Sequence, residues 1–175
     1  MKDLSNKIVI VTGANGLIGK EIVHELEEHA ATIIAADIAF ETEVIDEKKS
    51  TFKLDLSDNT SIDSLVEFAM DNYGRIDGLI NAAYPRTKDW GKYKFEDTPF
   101  THWKKNVELQ LNSVFYLDQQ VLKVMEAQKF GSIVNFGSIY GIVGNDFAIY
   151  EDYGGTSPAE YCAVKGGIIN FTRYL

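Results

Sequence analysis

The stretch KIVIVTG (7–13) is a continuous apolar run ending in glycine, the pattern of a strand buried on both faces. Leu17, Ile18, Ile22, Val23 and Leu26 follow at helical spacing. ATIIAAD (31–37) predicts a second strand, and TFKLDLSD (51–58) contains a third. Ser57 or Asp58 can then cap a helix carrying Ile62, Leu65, Val66, Ala69 and Met70. IDGLINAA (76–83) predicts a fourth strand, a helical region spans about 100–128, and GSIVNFGS (131–138) predicts a fifth strand. A last helix is expected to start at Ser157.

Strands alternating with helices imply an α/β fold: a doubly wound parallel sheet with right-handed crossovers. Such sheets bind ligands outside the carboxyl ends of their strands. Here those ends read TGANG, AD, LDLS, NAAY and GSIYG, rich in the small polar residues of a polar cleft.

Composition narrows this picture. The 175 residues suit one domain spanning 1–175. A net charge of −9 argues against a nucleic-acid or anionic-membrane partner, which it would repel. No apolar run reaches the ~20 residues of a membrane span, and the N-terminus has no signal-peptide pattern, so a cytoplasmic protein is expected. A single cysteine, Cys162, excludes an internal disulfide framework and reads as a small packing residue. His24, His29 and His102 share no ligand spacing; they read as solvated helix positions, and no metal is expected.

Two places carry candidate chemistry. Gly13, Gly16 and Gly19 fall between the first strand and the first helix. Glycine there permits a tight turn and close backbone approach to a pyrophosphate seated on the helix N-terminus. Asp37 ends the second strand, 18 residues past Gly19, where an acid can bond the adenosine ribose hydroxyls. Its carboxylate would repel a 2′-phosphate, and no Lys or Arg lies within 31–40, so NAD is favoured over NADP.

The second place is a Tyr-x-x-x-Lys spacing, which occurs twice. In YPRTK (84–88), Pro85 pushes Tyr84 out of the helical region, so that pair reads as loop. In SPAEYCAVK (157–165), Ser157 suits an N-cap, Pro158 the first helical position, and Glu160 a capping box. Tyr161 and Lys165 then share one helix face, and a nearby ammonium favours a phenolate. That pairing suits general acid–base catalysis.

With these motifs in order, the chain resembles the short-chain dehydrogenase/reductases across essentially its whole length. TGANGLIG resembles the family's cofactor loop, LDLS its adenine-contacting segment, NAA (81–83) its motif after the fourth strand, and YCAVK its catalytic pair. The resemblance implies a Rossmann-type sheet and a hydride-transferring NAD(P)-dependent dehydrogenase or reductase. In that reading Tyr161 exchanges the hydroxyl proton, Lys165 holds the nicotinamide ribose and favours the Tyr161 phenolate, and Ser138 hydrogen-bonds the substrate oxygen. Asn112, in VELQLNSVF, anchors a water that links Lys165 to solvent. Gly13, Asn15, Gly16, Leu17, Ile18 and Gly19 line the cofactor, Asp37 its ribose, and Asp55 and Leu56 its adenine. Asn81, Ala82 and Ala83 lie near the nicotinamide, with Asn81 beneath it.

Three features depart from the compact branch of that family. The loop reads T-G-x-x-G-x-x-G, as in extended-branch epimerases and dehydratases that retain NAD, and this is the alternative enzymatic reading. Ser138 and Tyr161 stand 23 positions apart, separated by an insert with Tyr140, Asp146, Tyr150, Glu151, Asp152 and Tyr153. Its hydroxyls and acids suit a polyhydroxylated substrate, a sugar or sugar derivative, and the overall pattern resembles bacterial glycan- and flagellin-modification dehydrogenases. The third departure is at the end, ten residues after Lys165, where the family's pattern continues. The expectation is a sheet truncated after the Tyr161 helix, with SIVNF (132–136) left at an edge. A non-catalytic NAD(H)-binding module is therefore a further alternative. The helices near 100–128 and from 157 resemble the family's dimerisation pair, so a homodimer or homotetramer is expected. Val114, Phe115, Leu117, Val121, Leu122 and Met125 supply apolar surface for it.

Overall fold

The computed structural model describes residues 3–153 and 156–175, leaving the side chains of Glu151 and Tyr153 undescribed. The Gly154–Gly155 part of the insert between Ser138 and Tyr161 thus lies outside the described residues. The chain divides into two compact units, Met1–Tyr84 with Phe115–Val134, and Pro85–Val114 with Asn135–Leu175.

In the first unit, β1 (Ile8–Thr12) pairs in parallel with β2 (Thr32–Asp37) and with β5 (Gly78–Asn81). On its far side β2 pairs in parallel with β4 (Lys49–Lys53). A short β3 (Glu43–Val44) adds an antiparallel edge, and β6 (Ser132–Asn135) closes the order β3-β4-β2-β1-β5-β6. The apolar runs of β1 and β2 are the central strands, as continuous hydrophobicity requires. The SIVNF segment sits at the edge, as expected, and Val134 there is half exposed.

Successive β1 side chains feed opposite faces. Ile10 joins Ile34, Leu79, Ile62 and Leu65 of α2 (Asn59–Tyr73), and Leu117 and Val121 of α4 (Ser113–Gln128). Val9 and Val11 join Ile33, Ala35 and Val23 of α1 (Leu17–Glu28) on the other face. Helices thus cover both sides of one mostly parallel sheet, the doubly wound Rossmann-type arrangement.

Boundaries differ from the sequence reading where side chains have other partners. Of the two cap candidates, Asp58 accepts from the Thr60 N–H at 2.9 Å and starts α2. The third predicted strand ends at Lys53 because Asp55 folds back on Ser57, accepting its N–H at 2.8 Å. The two residues of β3 carry no period that a sequence can show.

The second unit holds α3 (Phe100–Val107), which continues through a π-turn at Glu108–Asn112 into α4, and α5 (Ala159–Tyr174). The capping box predicted for α5 does not form. Pro158 is the N-cap residue and α5 has no side-chain cap bond; Ser157 instead accepts from Asn145 Nδ2. Glu160 is buried and faces His102.

Candidate active site

The predicted cofactor residues all belong to the first unit. Gly13 has a φ of 65°, and a Cβ there would stand 2.6 Å from the Ala83 Cα. At Gly19 a Cβ would meet the Gly13 oxygen at 2.1 Å, so α1 packs onto the loop only with glycine. The Gly16 N–H donates to that same oxygen at 2.9 Å. Gly16 then caps α1 without any side-chain bond, and Asn15, Leu17 and Ile18 are exposed, with Leu17 at 90%. A helix N-terminus without a side-chain cap, reached by a tight glycine turn, fits a pyrophosphate.

Asp37 braces this loop. Its Oδ2 accepts from the Asn15 N–H and its Oδ1 from the Ala39 N–H, each at 3.0 Å. It is therefore both the residue closing β2 and a carboxylate held beside the glycine turn. Asp55 receives the Ser57 N–H and hydroxyl, while Leu56 packs against the core. The Ala82 N–H donates to the Ile80 oxygen and the Ala83 N–H to Thr12 Oγ1, which fixes the turn after β5. Asn81 is buried, and its Nδ2 donates to Asp118 Oδ1 of α4 at 2.7 Å. Its amide is turned to that helix, a link between β5 and α4.

The predicted reacting groups belong to the second unit. Tyr161 and Lys165 lie one turn apart on α5, with the Lys165 Nζ 6.0 Å from the Tyr161 ring centre. Lys165 is buried, and burial lowers its pKa from the usual 10.5. Its Nζ donates to the Phe136 carbonyl oxygen at 2.6 Å.

That bond is one of three contacts laying segment 136–141 along α5. A Cβ on Gly137 would touch Ile169 Cγ1 at 3.0 Å, and one on Gly141 would stand 2.7 Å from the Lys165 carbonyl carbon. Ser138 is therefore carried on a segment held against the Tyr161 helix despite its distance in sequence. Its Oγ accepts the Tyr140 N–H at 3.2 Å, which leaves the hydroxyl hydrogen free to be donated elsewhere. Two rings flank Tyr161 edge-on, Trp90 and Tyr140, each with its centre 6.4 Å away.

Asn112 does not join this group. It is exposed at the end of the π-turn, and its Nδ2 donates to Glu108 Oε2 at 2.5 Å. The buried amide of that turn belongs to Gln110, at 3% exposure, and neither its Nε2 nor its Oε1 has a hydrogen-bond partner among the described residues. A π-turn shifts the register of side chains by one position, which helical spacing in the sequence does not reveal.

Three further residues were misread from sequence. His102 is not solvated: it is 7% exposed and contacts Glu160. Cys162 does more than fill space, since its thiol donates to Asn145 Oδ1 at 2.6 Å. Glu160 shows no capping role. Tyr84 and Lys88 lie outside helices, as Pro85 predicts. Of the dimer candidates, Val114, Leu117, Val121 and Met125 are buried in the chain itself, and Phe115 is 47% exposed. Among the described residues, no helix is long and apolar enough to cross a membrane, and no group of three His, Cys, Asp or Glu side chains could hold a metal ion.

Comparison with known proteins agrees with this fold. The family profile described as short chain dehydrogenase matches residues 7–175. Post-translational flagellin modification protein A of Campylobacter coli is 31% identical over 98% of this chain and 71% of that protein. A 3-oxoacyl-(acyl-carrier-protein) reductase of Thermotoga maritima is 32% identical over 97% of this chain and 67% of its own length. The crystal structure of a short chain dehydrogenase from Leptospira borgpetersenii with bound NAD+ superposes with a TM-score of 0.83 at 29% identity, covering 99% of this chain and 67% of that one. With its doubly wound sheet, its glycine turn and this match across nearly its full length, the chain belongs to the short chain dehydrogenase family.

Proposed function

We propose that this chain is an NAD-dependent oxidoreductase that interconverts an alcohol and a carbonyl on a sugar or sugar derivative. The observation that carries the chemistry is the α5 pair: Tyr161 beside a buried Lys165 whose Nζ holds the Ser138 segment through Phe136. The nicotinamide cofactor, when bound, supplies or accepts the hydride. In the reducing direction the Ser138 hydroxyl donates to the carbonyl oxygen and orients it. Tyr161 then delivers the proton that the new alkoxide needs; in oxidation it takes that proton back. Lys165 supplies the positive charge next to the phenol and, by the family resemblance, would donate to the cofactor's ribose.

Gln110 is better placed than Asn112 to hold a buried water in a proton path, because its amide is buried with both atoms unsatisfied among the described residues. For the cofactor, the Asp37 carboxylate at the end of β2, with no Lys or Arg in 31–40, supports NAD over NADP. A structural relative binding NAD+ is consistent with that choice.

The sugar assignment rests on the surroundings of Tyr161. Trp90 and Tyr140 present rings there, and the Tyr140 hydroxyl is held by hydrogen bonding to Tyr150, which raises its pKa. Rings and hydroxyls together suit the apolar faces and hydroxyl edges of a sugar.

Calorimetry with NADH and NADPH tests the cofactor half. A spectrophotometric panel of sugar derivatives and 3-oxoacyl thioesters tests the substrate half. NADH binding much tighter than NADPH, with turnover confined to sugars, is expected. Turnover only of the thioesters would overturn the substrate class, and preference for NADPH would overturn the cofactor.

A further inference from the structure

A buried polar cluster beneath the first turn of α5 takes no part in the chemistry above. His102 of α3 is 7% exposed and Glu160 of α5 is 1% exposed. His102 Nδ1 stands 3.1 Å from Glu160 Oε1. Its Nε2 stands 3.4 Å from Asp89 Oδ1 and 3.1 Å from Thr87 Oγ1. Asn106, fully buried one turn along α3, accepts the Thr87 N–H at 3.2 Å and directs its Nδ2 at the His102 backbone oxygen (3.1 Å) and Glu160 Oε1 (3.5 Å). The Tyr93 ring stands edge-on to His102 with centres 5.0 Å apart.

Proton counting constrains this arrangement. A neutral imidazole has one N–H, yet each ring nitrogen faces a carboxylate oxygen. A neutral ring beside two carboxylates would set a lone pair against an anion. Glu160 Oε2 is also buried with no hydrogen-bond partner among the described residues, a costly position for a full carboxylate charge. One proton shared between His102 and Glu160 satisfies both. The neighbours do not supply it: hydrogen bonding from Thr87, helped by Tyr93 and the charge of His102, holds the Asp89 carboxyl below its usual range, and Asp89 in turn raises the Tyr93 hydroxyl.

The cluster ties a specific loop to a specific turn. Thr87 and Asp89 belong to the turn that carries Trp90, whose N–H donates to the Thr87 oxygen at 3.2 Å. Trp90 stands beside Tyr161, and Tyr161 follows Glu160 directly. We propose that His102 and Glu160 are positioning residues: sharing one buried proton, they lock the 87–90 turn onto α5 and so set Trp90 as a wall of the substrate site beside Tyr161. Losing that proton releases the turn and opens the wall, so substrate fit becomes pH-dependent. The functional meaning rests on reading Tyr161 as the reacting group, but the lock itself does not.

The test uses the full chain labelled with 5-fluorotryptophan. Trp90 and Trp103 give two fluorine resonances, assigned with Trp90→Phe. The Trp90 resonance is expected to move with pH, and His102→Gln and Glu160→Gln are expected to abolish that dependence. Asp89→Asn keeps the pair but removes the anion facing Nε2, and is expected to move the midpoint to lower pH. A pH-independent Trp90 resonance in the unmodified chain overturns the proposal, as does a midpoint unchanged in Asp89→Asn. The second outcome decides even if the buried variants do not fold. Because no substrate or cofactor enters the measurement, failure of the lock is distinguishable from failure of the proposed activity.

Discussion

Lys165 Nζ donates to the Phe136 carbonyl oxygen at 2.6 Å, which joins the segment leading to Ser138 to the helix that carries Tyr161. This ammonium is buried, and burial lowers its pKa, so the folded chain releases its proton before the unfolded chain does. Well below the lowered value both states are charged and the burial cost is constant. As pH rises from there toward 10.5, the unfolded state binds more protons at this site, and stability rises. Lys165→Met removes the buried charge while keeping the packing. We expect turnover to be lost. The alkaline gain contributed by this site should vanish, and differential scanning calorimetry from neutral to alkaline pH checks it.

Gln110 and Asn112 separate a buried amide from an exposed one. Gln110→Leu should lower kcat by about 10-fold or more with little change in KM, as expected of a group serving proton transfer. Asn112→Ala should leave kcat near that of the unmodified chain. Steady-state kinetics on both variants decides, and the opposite ranking would restore Asn112 to the role the family resemblance gave it.

Asp37 touches the glycine loop through the Asn15 N–H. Asp37→Ser keeps a short acceptor but removes the charge. NADPH affinity should gain on NADH by roughly 10-fold, about 1.4 kcal/mol. An unchanged ratio in calorimetry would mean that the carboxylate serves the loop alone.

Gly13 combines a positive φ with backbone contact, so Gly13→Ala meets both strain and collision. Destabilisation of about 2–4 kcal/mol is expected, read as a fall in the urea midpoint without a change in slope. Cofactor binding should weaken with it.

Phe115 is 47% exposed on α4. If α4 and α5 pair two copies of the chain, light scattering will show a dimer at micromolar concentration and a monomer for Phe115→Asp. A monomeric unmodified chain would remove the expectation of self-association.

The sheet was legible because its central strands, β1 and β2, are buried on both faces. The runs 8–11 of KIVIVTG and 33–36 of ATIIAAD are continuously apolar, and that is how central parallel strands must read. The glycine turn and the Tyr161–Lys165 spacing were legible because both depend on local backbone geometry. Features set by distant partners were not. Ser157 and Glu160 have the spacing of a capping box, yet they serve Asn145 and His102. The bond from Asn81 to Asp118, 37 positions away, likewise has no local signal.

The sequence by itself therefore determined the strand order's raw material, the glycine turn and the one-turn spacing of Tyr161 and Lys165, since each is encoded within a few consecutive residues. Only the tertiary structure decided which amide of the π-turn is buried, and that His102 lies inside rather than in solvent. It also decided that Ser138 reaches the α5 helix through Phe136 and Gly141. These depend on which elements pack together, and no local pattern records the partner on the other side of a contact.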